Sequence, residues 1–382
     1  MKAIFKTMML VAAAAAMHAC ASAPATTLSG LDPERFVAQV GDKTTALYTL
    51  VNPSGMEVCV TNFGGRIVSV MVPDRNGEMK DVVLGFDNVF NYIDKENTPT
   101  DFGASVGRYA NRLNKGVVTI AGEIIQLPIN NFGHCLHGGP EGWQYQVYDA
   151  EQKNDSTLVL TMHSPDGDQC FPGNVTAVVT MVLTSDNTID ITYGAETDRT
   201  TIINMTQHAY FNLSGNPEQT IDDHVLYIDA DTYTPVDDSY MTTGEILDVT
   251  GTPMDFREPH AIGRDRTTTD YYQVTMGGGF DHNWCLNANG DETKVVAKVV
   301  CPSTGICVEV YTNEPGIQFY TGNFLDGTCV GKKGITYNRN VGLCLETQNY
   351  PDAPNKPEWP SAVLEPGQKY YSHCIYRFST VE

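Results

Sequence analysis

The stretch VTAVVTMVLTSDNTIDITY, Val175 to Tyr193, decides the fold. Two runs rich in β-branched residues, 175–183 and 189–193, flank the turn signal Ser185-Asp186-Asn187. The pattern predicts an antiparallel hairpin. Similar short runs recur in both directions: 58–61, 67–72 and 158–162 before it, then 295–300, 306–311 and 317–320 after it. Asn76-Gly77 and Asn289-Gly290 are two-residue hairpin signals. Beyond the N-terminal signal no segment sustains a helical period, and 34 Gly and 20 Pro suit a turn-rich β protein. The reading is all-β, one large antiparallel β-sandwich from about residue 36 to the end.

The chain opens with Lys2 and Lys6, followed by an apolar core from Met8 to Met17 that is too short to span a bilayer. Small residues follow, as in an export signal. Met17-His18-Ala19-Cys20 resembles a bacterial lipobox, with Cys20 as the lipidated first residue. Ala21-Ser22-Ala23 is a competing cleavage site, weakened by Pro24 just after it. The expected organisation is a signal peptide over 1–19, a flexible tether over 20–35 and a single domain over 36–382. The mature protein is expected to be exported and anchored only by lipid at Cys20, facing the periplasm or the cell exterior.

A formal charge of -22 argues against nucleic acid and anionic membranes as partners. It also disfavours a phosphorylated substrate, so a neutral small molecule fits best. Ten cysteines, one of them Cys20, leave an odd nine with no paired CxxC spacing of a zinc site. Cys301 and Cys307 bracket the turn PSTGI and are positioned in sequence to pair across a hairpin in an oxidising compartment. Most of the others read as small buried apolar residues. A monomer or weak dimer is expected, with no metal.

Candidate chemistry sits in six stretches. In VGLCLETQNYPDAPN, Val341 to Asn355, an apolar run carries the lone acid Glu346 into a polar loop. Such a carboxylate is either held by backbone donors or is a general base on a stiff element. GRYANRLNKG, Gly107 to Gly116, places Arg108 and Arg112 near a tight turn, as solvated arginines or as forks of donors for carboxylates and vicinal hydroxyls. NNFGHCLHGGPEGW, Asn130 to Trp143, holds His134, read as structural, and His137, whose following glycines let backbone approach a ligand. TIINMTQHAYFNLSGN, Thr201 to Asn216, mixes Asn204, Gln207, His208 and Asn212 with Tyr210. Aromatic faces for C–H groups beside amides and imidazoles for hydroxyls describe a sugar subsite, and His208 titrates near enough to neutrality to donate a proton. GGGFDHNWCL, Gly277 to Leu286, offers Asp281, His282 and Trp284, and EPGIQFYTGN, Glu314 to Asn323, offers a polar face of Gln318 and Tyr320.

Taken in order, these stretches resemble the aldose 1-epimerase (galactose mutarotase) family. The matching pieces are Gly107–Gly116, CLHGG at 135–139, HAYFNLSG at 208–215, TPMDFR at 252–257, GFDHN at 279–283, EPGIQFYTGNFLDG at 314–327 and CLETQNYPDAPN at 344–355. The resemblance implies a β-sandwich with a shallow sugar cleft, no cofactor, and interconversion of the α and β anomers of hexoses such as glucose and galactose. It implies that Glu346 is the general base, that His208 is the general acid, and that Asn111, Arg112, His137, Asp281 and Gln318 bind hydroxyls. Three alternatives remain open at this level. They are a phosphorylated-sugar epimerase, a non-catalytic sugar-binding lipoprotein serving a transporter, and a glycoside hydrolase using Asp281 with Glu346.

Overall fold

A computed structural model describes residues 26–96, 98 and 101–382, so the signal peptide, the lipobox and Cys20 lie outside the described residues. Val175–Leu183 forms the expected strand, with Val175, Ala177, Val179, Met181 and Leu183 buried and the residues between them more open. It pairs antiparallel with Thr188–Thr197, Leu183 lying opposite Ile189, and Asn187 takes the left-handed conformation (φ 62°) that reverses the chain. This hairpin lies within a sheet of nine strands among the described residues. Two strands of that sheet, Tyr370–Thr380 and Ile306–Thr312, come from the far C-terminal part of the chain.

A second sheet of six strands runs in the order Tyr210–Phe211, Leu343–Gln348, Gly316–Tyr320, Asp281–Cys285, Thr232–Thr234, Leu247–Asp248. The core forms where the two sheets face each other. Leu160, Val179, Ile191 and Tyr376 of the larger sheet join Trp284, Ile317, Phe319, Leu343 and Leu345 of the smaller one in a single cluster. Each such side chain contributes roughly 1.5–3 kcal/mol on burial. The sandwich read from the sequence is the architecture observed.

The three central strands of the smaller sheet are buried on both faces. Their apolar residues take the sandwich core, so the alternate residues Asp281, Asn283, Gln318, Glu346 and Gln348 form a buried polar row on the other face. An unpaired buried polar group costs about 1–3 kcal/mol, so the members of such a row have to bond to one another or to a ligand. A smaller sheet of four strands (Leu47–Val51, Glu57–Thr61, Arg66–Pro73, Met79–Asp81) precedes these in the chain.

Four local expectations change. Asn289 (φ 53°) and Gly290 (φ 81°) adopt the left-handed backbone of a tight turn, yet the strands they join, Asp281–Cys285 and Ala297–Val300, belong to different sheets. Turn chemistry reverses the chain without choosing its hydrogen-bond partner. Asn76-Gly77 does sit in a hairpin, but Pro73 pairs with Met79, so the loop is longer, with Asp74 accepting from the amides of Asn76 and Glu78. The tether ends earlier than residue 35. Leu28 N–H donates to Glu57, Leu31 is buried, and Pro33–Phe36 is a 3₁₀ turn capped by Asp32 that buries Phe36. Cys301 and Cys307 are free, buried thiols: Cys307 lies opposite Val300 rather than Cys301, so neighbouring positions point to opposite faces.

Candidate active site

Glu346 lies two residues inside the C-terminal end of the Leu343–Gln348 strand, opposite Gln318, which is itself opposite Asn283. The polar row is one connected network. Gln318 Nε2 donates to Asp281 Oδ1 at 2.7 Å, and the other Asp281 oxygen lies 3.9 Å from Arg112 Nη1. Arg112 Nε donates to Asn131 at 3.1 Å, and Gln348 links Asn111 and Gln318 at 3.5 and 3.4 Å. Glu346 is 2% exposed, and its Oε2 has no hydrogen-bond partner among the described residues. A buried carboxylate oxygen left without a partner beside that network is placed to accept from a ligand.

His208 ends the short strand Thr206–His208, which pairs with Ala104–Val106. Its Nε2 lies 3.7 Å from Glu346 Oε1, its Nδ1 lies 3.5 Å from Cys344 Sγ, and its ring stacks on Tyr210 with centroids 5.0 Å apart. His137 stands edge-on to His208 at 5.2 Å. The His137 Nδ1 accepts the Asn111 backbone N–H at 3.1 Å, so the proton of the neutral ring is assigned to Nε2, as a donor. Burial pushes the His137 pKa down to about 3 and keeps that ring neutral.

Burial also lowers the pKa of His208 from 6.5, against the opposing pull of Asp101. It raises that of Glu346 well above 4.5, reinforced by Asp281 and Asp101 and opposed by Arg112. A lowered imidazole pKa makes the imidazolium a stronger acid, and a raised carboxyl pKa makes the carboxylate a stronger base. Both shifts sharpen the pair for proton transfer.

Asn111, Arg112, His137, His208, Asp281 and Glu346 all line one cavity of about 330 Å³. That is the small end of the range for ligand pockets. Gln318 reaches the site through Asp281 and does not line it. Several other candidates serve the fold. Arg108 is buried against the carbonyls of Pro172 and Gly173 and the hydroxyl of Ser164. His134 accepts from Lys115 N–H and meets Ser239, while Asn204 and Asn212 donate to the carbonyls of Ala110 and Val341. His282 and Trp284 are buried, bonded to Gln273 and the Met254 carbonyl. Asp281 is committed to Gln318 and Arg112, which argues against it as the second carboxylate of a hydrolase.

Sequence reasoning missed Asp101. Its carboxylate lines the cavity within 4.8 Å of ligand atoms of both His137 and His208, and its Oδ1 has no hydrogen-bond partner among the described residues. It lies in a polar loop of a chain with 46 acids and carries no local signal. Asp101 with His137 and His208, and His208 with Cys344 and Glu346, are close enough to act as metal donors. Burial holds the Cys344 thiol towards its protonated form, a poor ligand, and any such ion would take His208 out of acid–base use.

Comparison with known proteins places this geometry in context. A family model described as Aldose 1-epimerase matches residues 46–377. A mouse galactose mutarotase is 41% identical over 324 residues, covering 85% of this chain and 91% of its own length. An Escherichia coli aldose 1-epimerase is 38% identical over 334 residues, covering 87% and 94%. Among solved structures, an aldose epimerase homologue from C. elegans superposes with a TM-score of 0.81 at 29% identity, covering 88% of this chain and 100% of its own.

Proposed function

The chain belongs to the aldose 1-epimerase family and interconverts the α and β anomers of aldoses, and from that premise we propose that Glu346 is its general base and His208 its general acid. The observation that carries this reading is the 3.7 Å approach of His208 Nε2 to Glu346 Oε1 at a cavity also lined by Asn111, Arg112, His137 and Asp281. Glu346 takes the proton from the C1 hydroxyl, the C1–O5 bond breaks, and His208 delivers a proton to O5. The free aldehyde then rotates about C1–C2. Reclosure reverses both transfers: His208 recovers its proton from the O5 hydroxyl, and Glu346 returns one to the new O1.

The pair begins and ends with one proton, so the cycle closes without a metal, a cofactor or a covalent intermediate. Arg112, Asp281, Asn111 and His137 present donors and acceptors to the remaining hydroxyls, and free hexoses such as galactose and glucose fit that set of hydrogen-bonding groups. Each proton transfer typically contributes about 10²–10⁴-fold. Polarimetry of fresh α-D-glucose and α-D-galactose with the chain lacking residues 1–20 tests this. Faster decay to the equilibrium rotation is expected, and Glu346→Gln is expected to remove nearly all of it while sugar binding persists. Turnover like wild type in that variant refutes the assignment.

The N-terminal sequence supports a further reading, that the chain is exported and anchored by lipid at Cys20. Its basic start, short apolar core and Met17-His18-Ala19-Cys20 segment carry that proposal.

A further inference from the structure

We propose that Asp101 is a specificity-determining residue that accepts the C6 hydroxyl of a hexose, so that the site selects sugars with a free hydroxymethyl group on C5; this rests on the reading of Glu346 and His208 as the acid–base pair. That pair fixes how a pyranose has to lie. Glu346 reaches the C1 hydroxyl and His208 the ring oxygen, so the C1–O5 edge of the sugar lies against Oε1 and Nε2, which are 3.7 Å apart. The ring leaves that edge in two directions. On the Glu346 side it continues through C2, towards the strand where Gln318 lies opposite Glu346 and donates to Asp281. On the His208 side it continues through C5, which carries the hydroxymethyl group.

Asp101 stands on the His208 side. Its carboxylate and one ring nitrogen each of His137 and His208 lie within 4.8 Å of one another, whereas Glu346 forms such a group with His208 and Cys344. His208 belongs to both groups and so stands between the two carboxylates. The neutral His137 ring, with its proton assigned to Nε2, is a donor beside the Asp101 acceptor. A donor and an acceptor side by side are the complement of a hydroxyl, which accepts from one and donates to the other. An anion at the same place, such as a sugar carboxylate or phosphate on C6, meets the Asp101 charge and is turned away.

The carboxylate is held in register with the acid it faces. The Ala104 amide donates to the Asp101 carbonyl at 3.0 Å, Arg66 Nη1 to the Phe102 carbonyl at 3.0 Å, and the Gly103 amide to the His208 carbonyl at 2.9 Å. Phe102 is fully buried and meets Tyr210 edge-on at 4.7 Å, and Tyr210 is the ring that stacks on His208. Tyr145 faces the same carboxylate, whose charge keeps the phenol protonated, yet Oδ1 stays buried without a partner among the described residues. Such an oxygen costs stability until a donor reaches it, and a sugar hydroxyl is the donor this cavity admits.

The test compares mutarotation of D-galactose with that of 6-deoxy-D-galactose and L-arabinose in wild type, Asp101→Asn and Asp101→Ala. Both analogues keep the hydroxyls of galactose at C2, C3 and C4 and lack the one at C6. The kcat/KM ratio of galactose to each analogue is taken within one protein at one pH, so any change in the acid–base pair cancels. Wild type is expected to favour galactose by about tenfold or more, the size of a hydrogen bond to a charged acceptor, chiefly through KM. Asp101→Ala is expected to bring the ratio to within about twofold of unity, and Asp101→Asn, an uncharged acceptor of the same shape, to leave an intermediate value. Calorimetry of the three sugars on the Glu346→Gln protein, with and without Asp101→Ala, reads the same preference without turnover. A ratio near unity in wild type, or one that Asp101→Ala leaves unchanged, overturns the proposal. Absence of galactose and glucose turnover in wild type counts against the acid–base reading instead, and the calorimetry still decides whether Asp101 reads the C6 hydroxyl.

Discussion

Glu314→Gln is expected to make this protein more stable at alkaline pH and to leave its stability near pH 4 little changed. Glu314 sits in the bend between the strands Ile306–Thr312 and Gly316–Tyr320, outside the sugar cavity and only 8% exposed. Its carboxyl accepts from the Tyr370 hydroxyl at 3.4 Å, and burial pushes its pKa up from 4.5 to about 7. Between those values the folded chain holds a proton that the unfolded chain has released. The stabilisation tied to that proton is therefore complete below about pH 4.5 and is lost as pH rises through about 7. At 1.36 kcal/mol per pH unit, the interval from 4.5 to 7 amounts to about 3 kcal/mol. Glutamine has the shape of the protonated acid and never ionises, so it escapes that loss. Urea unfolding of both proteins across about pH 5 to about pH 8 measures the difference, which is expected to grow by about 3 kcal/mol in favour of the variant. A difference that stays flat across this range refutes the account.

Two further outcomes follow from the site and the N-terminus. The proposed mechanism requires one proton on the Glu346–His208 pair, so the pH profile of turnover is expected to fall on both flanks, with apparent pKa values that belong to the pair. The charge of Asp101 raises both groups, so Asp101→Asn is expected to move both flanks to lower pH; an unmoved kcat profile removes Asp101 from the acid–base machinery. Cys20→Ala in the full-length chain is expected to shift the protein from the detergent phase to the aqueous phase with glucose turnover unchanged, and retention in the membrane fraction contradicts lipid anchoring at Cys20.

Much of the molecule is legible locally. Strand identity follows from β-branched runs and turn residues, because alternation and turn chemistry act between neighbours, as Val175–Leu183, Asn187 and Thr188–Thr197 demonstrate. The motif residues Asn111, Arg112, His137, His208, Asp281 and Glu346 are named by sequence and meet in one cavity. Asp101 is not legible, since an acid in a polar loop has no local mark.

The sequence by itself determined that the chain is a β protein with a lone acid on a buried strand and a set of polar motif residues. Only the tertiary structure decided that Asn289-Gly290 joins two sheets, that Arg108 and His134 are bonded into the scaffold, and that Gln318 donates to Asp281 and does not line the cavity. It also decided that Glu346 and His208, 138 positions apart in the chain, stand 3.7 Å from each other. The physical reason is range. Side-chain alternation and turn preference are fixed within a few residues, whereas strand partners, burial and the pKa shifts that follow from burial depend on what distant segments pack against.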